Sequence, residues 1–148
     1  MRRDRRRGGF TLVELVFVMV IIMILAGVVV MNAGTSTDRA YRARAVNDLK
    51  EMDTMLEIYH ADNGHYPTSQ QGIQALITKP TTPPTPNNWQ GPYMKNRSKV
   101  PQDPWGNEYV YVCPGEHNPT SFDLYSYGKD GRSGGSGNDA DVTLWDLQ

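Results

Sequence analysis

The chain has 148 residues, room for one domain and an appendage. Its net charge of −1 conceals an asymmetry: five arginines against Asp4 put the first nine residues at +4 and leave the remainder at −5, which excludes a basic nucleic-acid surface on the body of the protein. The single cysteine, Cys113, excludes an intramolecular disulfide; without a local base it reads as a packed or half-exposed strand-end residue, not a nucleophile.

Residues 10–31 form a run of 22 in which only Thr11 and Glu14 are polar. As a helix the run would reach about 33 Å, close to the ~30 Å of a bilayer's hydrocarbon. A secretory signal has a shorter apolar core with its small residues behind it, whereas here Gly8 and Gly9 stand in front. A cut at that point would remove the arginines and keep the membrane helix. Directly before an apolar run, arginines set orientation: N-terminus cytoplasmic, remainder exported. Glu14 is the anomaly, since a carboxylate in hydrocarbon costs ~2.5–3.5 kcal/mol on insertion scales. Either it lies near the interface and snorkels, or it waits for a cation. A cut after Gly9 would create one, the α-amino group of Phe10, and between neighbouring subunits that pair would fix register.

The stretch Gly9-Phe10-Thr11-Leu12-Val13-Glu14 resembles the class III leader junction of type IV pilins and type II secretion pseudopilins. The resemblance implies that a prepilin peptidase cuts between Gly9 and Phe10, that Phe10 becomes N-methylated, and that Glu14 guides subunit assembly. One departure stands out. The family commonly has a proline about 22 residues into the mature chain, where this sequence has Met31. Whether the helix bends or melts there is left open, with Gly27 and Gly34 as other sources of flexibility.

Beyond residue 37, Ala45, Val46, Leu49, Met52, Met55, Leu56 and Tyr59 recur at three- and four-residue steps, the stripe of an amphipathic helix. Asp48, Glu51, Asp53 and Glu57 fall largely off it. Asn63-Gly64 predicts a stop near Asp62. Thr37 or Asp38 would cap the helix if it is interrupted; otherwise residues 10 to about 61 make one rod of roughly 78 Å. Residues 71–77 read as a short helix with Ile73, Leu76 and Ile77 inward. Residues 78–92 hold five prolines and form a loop, anchored by Trp89 and Tyr93. Residues 109–112 and 121–127 read as two antiparallel strands, marginal without the long helix across one face. The expected fold is α+β: a long N-terminal helix, membrane half plus amphipathic half, packed on a small antiparallel sheet with long loops. The organisation is a cleaved basic leader (1–9), a transmembrane or filament-core helix (10–31), an amphipathic helix (32–63) and a globular head (64–148).

A second resemblance covers the head. Tyr66-Pro67-Thr68, Gln71-Gly72-Ile73-Gln74-Ala75-Leu76, Pro101-Gln102-Asp103-Pro104-Trp105-Gly106-Asn107-Glu108-Tyr109 and Ser126-Tyr127-Gly128-Lys129-Asp130-Gly131 resemble, in order, the blocks of the major pseudopilins of type II secretion. The glycine-rich, acidic stretch 128–142 would be disordered unless tied. Its aspartates and carbonyls suit Ca²⁺, though it lacks EF-hand spacing, and composition alone favours a solvated loop. The resemblance reverses that preference and implies a calcium site made by the Tyr127 carbonyl, Asp130 and Asp141, with Asp139 open as a further ligand and Trp145 closing the loop on the sheet. No His or Cys cluster supports zinc.

The resemblance therefore implies a structural subunit and no enzyme. It would be a homopolymer forming a periplasmic filament that drives folded proteins across the outer membrane. Before assembly it would be a single-pass inner-membrane protein with a cytoplasmic N-terminus and a periplasmic head. The implied partners are prepilin peptidase, the minor pseudopilins and the inner-membrane assembly platform, with no nucleic acid. The alternatives are a type IV pilin or minor pseudopilin, or a membrane-anchored periplasmic binding module that never polymerises. A hydrolase finds no nucleophile–base set, and His60, His65 and His117 read as ordinary turn or surface residues.

Overall fold

Helix α1, Leu12–Asn63, runs through 52 residues. Its start is written in Thr11-x-x-Glu14: the Glu14 N–H, a donor that a helix N-terminus leaves free, donates to Thr11 Oγ1 at 3.3 Å, and Leu15 N–H makes the first helical bond, to the Thr11 carbonyl at 3.2 Å. Its end is the predicted one. Gly64 takes φ +77°, a left-handed conformation that suits glycine, and its N–H closes on the His60 carbonyl at 2.7 Å. The interruption allowed for near residue 37 does not occur, since the helix is continuous through Met31, Thr37 and Asp38.

The computed structural model describes residues 11–147, the side chains of 26–36 and of residue 138 excepted. The chain divides into two compact units, Met1–Asp38 and Arg39–Gln148. In the first, the side chains of residues 12–25 are exposed all round the helix, the large apolar ones from 43% at Val20 to 79% at Leu12. That is an apolar cylinder, not a one-sided stripe. The expected span over 10–31 extends past the described side chains at both ends; among the described residues no helix is long and apolar enough to cross a membrane.

In the second unit the stripe behaves as read. Ala45, Leu49, Met52, Leu56 and Tyr59 are buried, with Val46 and Met55 packed at the margins. They meet Ile73, Leu76, Met94, Tyr111, Phe122, Leu124, Val142 and Leu144 in one core, each fully buried large side chain contributing about 1.5–3 kcal/mol. Asp48 is less free than its off-stripe position suggested: the Tyr109 hydroxyl donates to its Oδ2 at 3.0 Å.

Three strands form the sheet, β1 (Val110–Val112), β2 (Asp123–Ser126) and β3 (Val142–Thr143), in order β1-β2-β3 and antiparallel throughout. Val110 faces Tyr125 and Ser126 faces Val142. The third strand, which the sequence reading lacks, relieves the marginality of a two-stranded ribbon. The short helix is a 3-10 turn, Ile73–Leu76, with Ala75 buried as well and Ile77 only half-buried.

The proline-rich loop is anchored as expected: Trp89 Nε1 donates to the Ala75 carbonyl at 3.0 Å and Tyr93 N–H to the Leu76 carbonyl at 2.8 Å. Buried Gln71 adds a third tie, its Nε2 donating to the carbonyls of Thr82 (2.7 Å) and Pro84 (3.0 Å). The Asp103–Asn107 turn is organised by a buried carboxylate. Asp103 Oδ1 accepts the N–H groups of Trp105 (3.1 Å) and Asn107 (2.7 Å), and Oδ2 accepts the Ser126 hydroxyl at 2.6 Å. The block thereby joins β2.

Two neighbours on the stripe should respond oppositely to truncation. Leu56→Ala should cost about 2–5 kcal/mol in chemical denaturation. The Tyr59 hydroxyl is buried with no hydrogen-bond partner among the described residues. Burial, and then the neighbouring Tyr93, push its pKa up to about 12. Tyr59→Phe removes only that unpaired group and should leave stability unchanged or raise it by up to about 1 kcal/mol; a loss comparable to that of Leu56→Ala would contradict this packing.

Candidate functional site

Two regions carry the residues singled out from sequence. At the N-terminus, Gly9 and Phe10 lie outside the described residues, as does the Met31 side chain. Glu14 is exposed in the first turn of α1. There its charge opposes the positive end of the helix dipole, and the T-x-x-E spacing that signals this was present in the sequence.

At the C-terminus, the loop after β2 returns through the 3-10 turn Gly137–Asp139 to β3. A cavity of about 240 Å³ opens beside it, lined among others by Glu116, Asp123, Tyr127, Ser133, Asp141 and Trp145. The structure thus brings Tyr127 and Asp141 together. Asp130 and Asp139 are exposed and do not line the cavity; Asp130 Oδ1 accepts the Arg132 N–H at 3.1 Å. Asp141 Oδ2 accepts the Gly134 N–H at 3.1 Å, while its Oδ1 is buried without a hydrogen-bond partner among the described residues. Among those residues no group of three or more His, Cys, Asp or Glu side chains is disposed to hold a metal ion. An unpaired buried carboxylate oxygen is nonetheless unfavourable alone, and the oxygen-rich lining suits a hard cation. The fit to calcium therefore rests on Asp141, with Tyr127 beside it.

Trp145 does close onto the sheet. It stacks on His117, ring centroids 4.0 Å apart and 7° from parallel, and meets Tyr125 edge-on at 5.5 Å. His117 is accordingly more than a surface histidine, for its Nδ1 lies 3.2 Å from Asp123 Oδ2. Asp123 organises the 116–118 turn: Oδ2 accepts the N–H groups of Glu116 (2.7 Å) and His117 (2.9 Å), Oδ1 that of Asn118 (3.1 Å). Burial pushes the Asp123 carboxyl up, but these donors, with the His117 ring, outweigh it and hold its pKa below the ordinary carboxylate value. Its oxygens are committed, whereas half-buried Asp141 has one buried oxygen with spare capacity among the described residues.

Sequence reading missed Asp123 and Arg42. Arg42 continues the helix stripe one step before Ala45, the signal that would have placed it toward the body. Its Nη1 donates to the carbonyls of Ala140 (3.0 Å) and Gly137 (3.4 Å) and its Nη2 to that of Asp141 (3.1 Å).

An apolar-ended helix whose later face is buried on a small antiparallel sheet defines an α+β, pilin-like subunit. The crystal structure of the major pseudopilin from the type 2 secretion system of enterohaemorrhagic Escherichia coli is similar, with a TM-score of 0.62 and 36% identity over 76% of this chain and 92% of that one. Residues 32–145 match the family described as type II secretion system protein G, and residues 4–30 the prokaryotic N-terminal methylation motif. The type II secretion system core protein G of Pseudomonas aeruginosa is 48% identical over 143 residues, covering 96% of this chain and 97% of that protein. That of Vibrio cholerae is 41% identical over 148 residues, covering 100% and 98%. The chain belongs to the protein G family of type II secretion, the major pseudopilins.

Because its pKa is depressed in the fold, Asp123 contributes stability above the unfolded carboxylate value of about 3.9, and that contribution is lost as pH falls through the folded value. Asp123→Asn should lower the melting temperature at pH 7 and flatten its decline on acidification below about pH 5. A variant whose melting temperature falls with acid as steeply as the wild type's would place the acid sensitivity elsewhere.

Proposed function

We propose that this chain is the repeating subunit of the periplasmic filament of type II secretion, the pseudopilus, and that it acts by polymerising, not by catalysis. The observation that carries the reading is a relationship to core protein G that runs from the leader motif to the last strand. It favours the major subunit over the type IV pilin, the minor pseudopilin and the non-polymerising binding module.

In this reading prepilin peptidase cuts between Gly9 and Phe10 and the new amine is methylated. The subunit waits in the inner membrane, N-terminus cytoplasmic and head periplasmic, and the assembly platform and minor pseudopilins admit it to the fibre. The apolar cylinder over residues 12–25 exchanges lipid for the helices of neighbouring subunits. Contact of the Phe10 amine with a neighbour's Glu14 sets the stagger, strengthened by the low dielectric. Heterologous contacts of this kind generate open helical fibres, and fibre growth moves folded cargo outward.

The C-terminal loop is proposed to hold calcium through Asp141 and the Tyr127 carbonyl, with Asp130 and Asp139 as further carboxylates on the same loop. The ion supplies the positive charge that the unpaired Asp141 oxygen lacks. The chain's own part is to present that oxygen beside β3 and to keep Trp145 on His117, so that the head offers a fixed surface to its neighbours.

Glu14→Ala should be processed normally, mass spectrometry showing an N-methylated chain beginning at Phe10, yet fail to form filaments. Wild-type filament yield would remove Glu14 from assembly, and an intact Met1 in the mature protein would remove the processing step. Calcium should be legible in the melting temperature of the detergent-solubilised full chain. EDTA should lower it and Asp141→Asn should abolish the difference; a wild-type protein indifferent to EDTA would overturn the calcium assignment.

A further inference from the structure

We propose that Arg42 is the positioning residue of the C-terminal loop: it seats the loop on α1 without any metal, and in doing so sets how tightly the loop holds a cation. The first half stands on geometry alone; the second rests on the calcium reading above.

Within residues 131–141 the loop's own ties are short in reach, Gly134 N–H to Asp141 Oδ2 and Asp139 N–H to the Ser136 carbonyl. Gly131, Gly134, Gly135 and Gly137 take φ of +65°, +94°, +84° and +62°, so the unfolded segment has wide conformational freedom to lose. Its 3-10 turn spans only three residues. Against this, one guanidinium gathers three carbonyls, those of Gly137, Ala140 and Asp141, from 95 to 99 residues away in sequence. Charged donors make the stronger class of hydrogen bond, and the rigid fork of arginine presents its donors in fixed, spread directions, where lysine gathers its three on one nitrogen at the end of a flexible stem.

Asp141 is the point of coupling. Its carbonyl is held by Arg42, while its carboxylate accepts the Gly134 N–H through Oδ2 and carries a buried Oδ1 with no hydrogen-bond partner among the described residues. Arg42 and a cation on the carboxylate thus order the same residues. Whichever binds first removes entropy that the other would otherwise have to remove, which makes the coupling favourable and reciprocal. Simple repulsion between a guanidinium and a metal ion predicts the opposite sign, so the sign of the effect decides between them.

The test uses the full chain in detergent micelles, as wild type, Arg42→Gln and Arg42→Lys. Hydrogen exchange in EDTA reads the peptide over residues 131–141, whose Gly134 and Asp139 N–H groups report the closed loop, against peptides over β1 and β2. Arg42→Gln should speed exchange of the loop peptide by at least about tenfold while β1 and β2 are unchanged, and Arg42→Lys should fall between. Titration with Ca²⁺ alone should then show a Kd about tenfold weaker for Arg42→Gln. Wild-type exchange of the loop in both variants overturns the seating role, and an unchanged or tighter Kd overturns the coupling. If Arg42→Gln loses the whole fold, the lysine variant carries the same comparison. A wild type that binds no Ca²⁺ overturns the calcium reading and the coupling together, and the exchange in EDTA still decides the seating.

Discussion

Everything in the head hangs on one stripe of α1. Ala45, Leu49, Met52, Leu56 and Tyr59 lose nearly all contact with solvent, and the elements they cover are too small to stand without them. The sheet has strands of three, four and two residues, and the second helical element is a single 3-10 turn. Such pieces have no stable existence alone. The helix supplies the apolar surface on which they condense, whereas over residues 12–25 its apolar side chains are exposed on all sides.

Between the short elements, side chains substitute for absent regular structure. Asp103 and Asp123 each sit buried at a turn and accept the backbone N–H groups that no strand or helix reaches. A carboxylate accepting several amides is a strong organiser of irregular chain. Arg42 is their complement, a donor that gathers carbonyls. Asp103, Asp123 and Arg42 thus fix three irregular segments, as Gln71, Trp89 and Tyr93 fix the proline-rich loop, and this is how a chain with so little sheet keeps a defined surface.

The long periodic parts of this design were legible in the sequence. The stripe, the helix stop at Asn63-Gly64, the anchoring by Trp89 and Tyr93, and the pairing of the two longer strands all follow from spacing and side-chain character. What escaped reading lies below the length at which a period exists. β3 has two residues between Asp141 and Leu144, and no alternation can be read from two residues. Asp123 was read as one polar position in an alternating strand, because its role depends on amides of a turn five to seven residues earlier. In the C-terminal loop, Tyr127 and Asp141 line one cavity, whereas Asp130 and Asp139 do not. The contact of Glu14 N–H with Thr11 Oγ1 is a local capping feature that the reading of Glu14 by its apolar surroundings did not include.

Gln71 has a consequence of its own. Prolines offer no N–H, so around Pro83 and Pro84 the loop is gripped by its carbonyls, and one buried amide nitrogen holds those of Thr82 and Pro84. The grip is blind to side chains. Residues 81–85 face solvent and can be exchanged for others of similar backbone habit without disturbing what holds them in place. The path of this stretch is thus set by backbone contacts at Thr82 and Pro84, and the exposed side chains between them take no part in holding it.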